Sequence, residues 1–78
     1  MPKFPHPPAR DVIKLLARNG FSIVGRKGSH IRLKKKDSVS TRIVVVPDHQ
    51  EMTPGTLHSI IRQSGIEKEE FLRMLEEI

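Results

Sequence analysis

FSIVGRKGSHIRLKKK, residues 21–36, decides the fold, because it holds two stretches of period two with glycines between them. Phe21 and Ile23 alternate with Ser22, and Ile31 and Leu33 alternate with His30, Arg32 and Lys34. Each stretch therefore sends apolar side chains to one side of a strand and polar ones to the other. Gly25-Arg26-Lys27-Gly28 reads as the hairpin connection that joins them. An antiparallel pair built this way stands a histidine and two cations in a row on one sheet face. The histidine is the odd member, since RKGSHIRLKKK, residues 26–36, surrounds it with six lysines and arginines.

Upstream of the hairpin, residues 1–8 contain four of the six prolines. They read as an extended or loosely ordered lead-in whose last proline can enter a first helical turn. Ala9, Val12, Ile13, Leu16 and Ala17 then share a stripe with Arg10, Lys14 and Arg18 outside it, and Asn19-Gly20 supplies a left-handed stop. This spacing predicts a helix over about residues 8–19.

Downstream, residues 35–40 form a polar turn. TRIVVV, residues 41–46, is apolar on both faces from Ile43 onward, so a third strand is expected whose outer side is also covered, and Pro47 ends it. Thr53 is a helix N-cap, Pro54 fits the first helical position, Leu57, Ile60 and Ile61 make the buried stripe, and Gly65 stops the helix. Phe71, Leu75 and Ile78 recur at helical spacing in a short acidic closing helix. The expected fold is α+β: one helix, three antiparallel strands, a second helix and a short third, with the helices on one face of the sheet. A chain of 78 residues is read as a single domain, 1–78, with residues 1–8 as its lead-in.

The net charge is +5, unevenly placed. Residues 1–42 hold eleven bases and two acids, whereas residues 43–78 hold three bases and seven acids. A polyanion-facing half follows, with nucleic acid as the leading partner. There is no cysteine, hence no disulfide framework, thiolate nucleophile or Cys-type zinc site, which fits a reducing cytoplasm. The longest apolar run, Ile43 to Val46, is far below the roughly 20 residues of a membrane helix, and residues 1–10 lack a secretory apolar region, so no membrane association and no export are expected.

Elimination narrows the chemistry. Asp11 falls on a helix exterior, Asp37 in a turn and the glutamates mostly in the last helix, so no catalytic carboxylate pair is suggested. His6, His30, His49 and His58 lack the spacing and the companions of a zinc site, and no phosphate-binding glycine loop or nucleophile elbow occurs, so no metal and no cofactor are expected. Histidine remains as the proton carrier for neutral pH, beside cations able to hold a phosphate. His30 leads, and His49, after Pro47-Asp48, is the second candidate. His58 reads as a solvated helix flank, and His6 lies in the proline-rich lead-in. RNA brings its own nucleophile in the 2′-hydroxyl, so a nuclease of this kind needs little more. Single-strand stacking platforms are disfavoured, because the chain has no Tyr or Trp and Phe21 and Phe71 fall in core stripes. The helix-strand-strand-strand-helix order is that of double-stranded-RNA-binding domains, which read shape and phosphates. On these grounds alone a non-catalytic RNA- or DNA-binding module remains open, as does a basic face that docks an acidic protein.

GF at 20–21, RKGSH at 26–30, VVVPDH at 44–49, GTLHSIIRQSGI at 55–66 and EEFL at 69–72 together resemble the HicA toxin family of bacterial and archaeal toxin–antitoxin systems. The resemblance implies a double-stranded-RNA-binding-like fold, ribosome-independent cleavage of mRNA, and neutralisation by a cognate HicB-type antitoxin. It places the family's catalytic histidine, in a Gly-Ser-His motif, on His30, and a Pro-x-His motif on Pro47 and His49. Arg26, Lys27, Arg32 and Lys34 are then the phosphate-holding candidates, with Ser29 orienting the ring or the substrate. The free protein is expected to be a monomer or weak dimer. Two positions depart from the family pattern: Glu67 stands where a Ser or Thr helix cap is usual, and the proline-rich lead-in is uncommon.

Overall fold

A computed structural model describes residues 4–78, so the first three residues of the lead-in lie outside the described part. The elements run α1 (Ala9–Arg18), β1 (Ser22–Lys27), β2 (His30–Lys36), β3 (Thr41–Pro47), α2 (Pro54–Ser64) and α3 (Lys68–Glu76). The three strands pair antiparallel in the order β1-β2-β3, the α+β arrangement expected from the sequence. Among the described residues no helix is long and apolar enough to cross a membrane.

The β1–β2 hairpin is tighter than the glycine pattern predicts. Arg26 and Lys27 belong to β1, and only Gly28 and Ser29 form the turn. Gly28 sits at φ +58, which a residue without Cβ adopts without strain, and the ladder therefore closes right up to the Lys27–His30 pair. At the far end β2 extends through Lys36. The turn to β3 is latched by Asp37, whose carboxylate accepts from the backbone N–H groups of Val39 (2.8 Å) and Ser40 (2.7 Å). Those two bonds, from Ser40 first and Val39 second, hold its carboxyl below the usual aspartate range.

One sheet face carries the core. Ile31 and Leu33 of β2 and Val44 and Val46 of β3 are buried, together with Val12, Leu15 and Leu16 of α1, Leu57, Ile60 and Ile61 of α2 and Phe71 of α3. The opposite face is left open. Two details differ from the helical and strand spacing. Leu15 joins the buried stripe of α1 in place of Ala17, which is exposed. Val44 and Val46 point inward, so the outer side of β3 is formed by Ile43, 41% exposed, and the half-buried Val45, and among the described residues no element covers it. In β1, Ile23 is 59% exposed although Phe21 is buried, because the sheet edge outruns the helices there and the register shifts between Ile23 and Gly25.

The other edge of the sheet is protected. The Val45 N–H, which has no strand beyond it, donates to Oε1 of Gln63 on α2 (3.0 Å), and Gln63 is steadied by Ser59 (2.9 Å). Helix α2 begins as its sequence dictates, with the Thr56 N–H donating to the Thr53 hydroxyl, and ends on Gly65 at φ +75. The Arg42 guanidinium lies against Gly65, where any Cβ would collide with it. Helix α3 lacks a side-chain cap at Glu67 and is anchored instead by Phe71, the largest fully buried side chain. Burial of such a residue contributes about 1.5–3 kcal/mol. The Arg73 pairs with Glu70 and Glu77 are solvent-exposed and screened, so packing and not charge holds the third helix.

Candidate functional site

The strands carry seven lysines and arginines and no acid. The pleat sorts them into two groups. On the helix side, each has an intramolecular neighbour: Arg26 pairs with Asp48, the Lys35 ammonium lies 5.9 Å from the Phe21 ring centroid, and Arg42 rests on Gly65. On the open side stand Lys27, Arg32, Lys34 and Lys36, all exposed, and none has an ion-pair partner among the described residues. The register places His30 beside Lys27 and Pro47, Arg32 beside Gly25 and Val45, Lys34 beside Ser22 and Ile43, and Lys36 beside Thr41. Successive members of a strand face are about 6.6–6.8 Å apart, so His30, Arg32, Lys34 and Lys36 form a straight row of roughly 20 Å.

His30 ends that row, where three segments meet. The Asp48 N–H donates to the Ser29 carbonyl (2.6 Å), tying the hairpin turn to the loop that follows β3. Arg26 and Asp48 repeat the tie with side chains. The His49 carbonyl accepts from the Ala9 N–H (2.8 Å) and so joins the loop to the start of α1. Ser29, His30 and His49 are thus gathered at one end of the sheet, all exposed. Neither the His30 nor the His49 ring makes a hydrogen bond among the described residues, so both imidazoles face solvent with their nitrogens available. A polar cleft of about 350 Å³ opens beside His49, lined by Pro8, Ala9, Arg10, Asp48, His49 and Gln50. A larger and more apolar groove, between Phe4, Pro5 and α3, lies away from this end and contains none of the residues singled out for chemistry. Among the described residues no three His, Cys, Asp or Glu side chains converge as metal ligands would.

An exposed imidazole at the end of a cationic row can exchange a proton with a group on a phosphate that its neighbours hold. The sequence alone singled out every one of these side chains except two. Lys36 falls in the expected polar turn, and Asp48 stands out in sequence only as the residue before His49.

The sequence matches the family described as "HicA toxin of bacterial toxin-antitoxin" over residues 9–66. The chain belongs to the HicA toxin family. No curated protein matches it significantly. As a HicA-family toxin it is the toxic member of a toxin–antitoxin system and has an antitoxin as partner. The matched span contains the whole sheet, His30, His49 and α2, while the lead-in and α3 lie beyond it.

The lead-in of this HicA-family chain is an ordered strap over residues 4–8, more fixed than its composition predicts. The Pro7 carbonyl accepts from the Met52 N–H (3.0 Å), and Nδ1 of His6 lies 3.0 Å from the Met52 carbonyl. Phe4 stacks on His58, ring centroids 4.4 Å apart and planes within 13°, with the Lys68 ammonium 5.8 Å from the Phe4 centroid. His58 is exposed, as a solvated helix flank is expected to be, and also carries the Phe4 ring. Together with the Ala9–His49 bond, these contacts hold the loop 48–53 at both ends. Local spacing carries no trace of them, because every partner is forty or more residues away along the chain, Lys68 being the most distant.

Proposed function

We propose that this toxin is a metal-independent endoribonuclease that cleaves mRNA in the cytoplasm through His30 and is neutralised by a HicB-type antitoxin. The observation that carries the reading is the position of His30, the one titratable ring in a row of cations that have no ion-pair partner among the described residues, on an open sheet face. The reaction is attack of a ribose 2′-oxygen on the adjacent phosphorus. The P–O bond to the 5′-oxygen breaks, leaving a 2′,3′-cyclic phosphate on one product and a 5′-hydroxyl on the other. One proton leaves the 2′-hydroxyl and one is delivered to the departing 5′-oxygen. His30 performs one of these transfers, and His49, on the loop tied to the same end of the sheet, is the candidate for the other. Lys27, Arg32 and Lys34 offset the charge that builds on the phosphate oxygens, and Ser29 orients the ring or the substrate. Arg26 has a different task from theirs, since its guanidinium holds Asp48 and with it the His49 loop.

Family membership supports a toxin whose target is RNA, and the acid-free strands support a polyanion. An acidic antitoxin surface laid over the same face neutralises the toxin by occupying the row. The test is cleavage of a labelled single-stranded RNA by purified protein in excess EDTA. Cleavage continues at the rate seen without chelator. A requirement for magnesium would move the chemistry to carboxylates, and stoichiometric RNA binding without cleavage would leave a non-catalytic binding module.

A further inference from the structure

Gly25 has no reason in the fold to be a glycine. Its φ is not in the left-handed region, and a Cβ built there meets nothing within 4 Å. The register shift beside it is therefore not of the kind that needs a left-handed glycine. Yet Gly25 stands directly across from Arg32 on the open face, and the small Ser22 stands across from Lys34, with Val24, 57% exposed, as the extra residue between them at the register shift. The β1 side of the cationic row is thus a floor, low at Gly25 and Ser22, with the exposed Val24 beside them and Lys27 at one end. A strand glycine that neither turns nor packs marks a place where another backbone comes close.

We propose that this floor and row form a track for one polynucleotide strand, which lies along β2 with its sugar–phosphate backbone over Gly25 and Ser22. This rests on the nuclease reading for its chemistry and goes beyond it in naming the substrate form and its polarity of contact. The two-residue step of β2 is close to the phosphate-to-phosphate step of an extended single strand, so Arg32, Lys34 and Lys36 meet successive phosphates in register. A double helix does not fit a straight row on a single strand, because its phosphates wind away from the sheet. No aromatic side chain stands on the open face: Phe21 and Phe71 are buried, and Phe4 is stacked on His58. Bases are therefore not stacked, and binding is salt-sensitive and tolerant of sequence. Because His30 ends the row, the track extends to one side of the scissile phosphate only. The substrate needs several nucleotides on one flank and few on the other.

Binding of a fluorescent single-stranded RNA whose riboses are 2′-deoxy, read by anisotropy over a salt series, tests the track without cleavage. Arg32→Gln, Lys34→Gln and Lys36→Gln each lower the log–log salt slope by about 0.7, the single-strand value per phosphate. Lys35→Gln and Arg42→Gln, on the helix side, leave it unchanged. Gly25→Val keeps the thermal melting curve of the parent and weakens binding roughly tenfold or more, the cost of losing one charge-assisted contact. In cleavage of ribo-substrates, trimming one flank to two nucleotides costs rate and trimming the other does not, and Lys36→Gln affects only substrates that keep the long flank. Equal slopes for inner and outer variants, parent-like binding by Gly25→Val, tighter binding of duplex than of single strand, or equal sensitivity of the two flanks overturns the track. Absence of any RNA binding also overturns it and leaves an acidic protein as the occupant. Binding along the row without cleavage upholds the track while removing the nuclease reading, and cleavage indifferent to the row does the reverse.

Discussion

His30→Ala lowers the rate of RNA cleavage about 10²–10⁴-fold, the usual cost of a missing general acid or base, while leaving the fold intact. The second half of that expectation comes from burial. Ile31 and Leu33 carry the β2 contribution to the core, and His30 is exposed on the other face with no hydrogen bond from its ring among the described residues. Surface substitutions of this sort change stability by about 0.5 kcal/mol or less, so circular dichroism and the melting curve of the variant match the parent. The loss is in kcat, with KM little changed, because Lys27, Arg32 and Lys34 still hold the phosphate. His49→Ala is the companion measurement. A comparable loss makes the pair an acid and a base on one phosphate; a small loss leaves His30 working with its cations and Ser29. A His30→Ala protein that cleaves at the full rate removes the assignment altogether.

Replacing the single ribose at the scissile position by 2′-deoxyribose abolishes cleavage there. On the proposed mechanism no protein group attacks: the chain has no cysteine, Ser29 has no side-chain base bonded to it among the described residues, and the imidazoles move protons. The attacking oxygen must then come with the substrate. Binding survives the change, because the row contacts phosphates and not the sugar hydroxyl, so the modified oligonucleotide becomes a competitive inhibitor with an affinity near that of the parent RNA. Continued cleavage at the deoxy position means that water or a protein group attacks, and the mechanism above fails.

The strand period exposed His30, Arg32 and Lys34 on one face because burial of Ile31 and Leu33 enforces a period of two, and that constraint is local. Helix limits were legible for the same reason, Gly20 and Gly65 standing at the left-handed stops. What local spacing could not carry were facts set by partners far along the chain. TRIVVV is apolar at every position from Ile43, so alternation cannot tell its inward side from its outward one; the pairing of Val44 with Leu33 and Val46 with Ile31 settles it. Adjacency in sequence makes Arg26 and Lys27 equal candidates for holding a phosphate, and only the pleat separates their surroundings, turning Arg26 to Asp48 and Lys27 to the open face. The strap over Met52 and His58 escapes local spacing for the same reason, since its partners lie far along the chain. Its bonds run through backbone carbonyls and stacked rings, which composition does not encode.

The central claim is that His30 moves a proton in an attack by the RNA on itself, and the ends of the products report that step directly. Mass spectrometry of the fragments released by the purified toxin in EDTA should show 2′,3′-cyclic phosphate, or the 3′-phosphate formed from it, on the upstream fragment and 5′-hydroxyl on the downstream one. Fragments ending in 3′-hydroxyl and 5′-phosphate, the products of attack by water on the other side of the phosphorus, would contradict it.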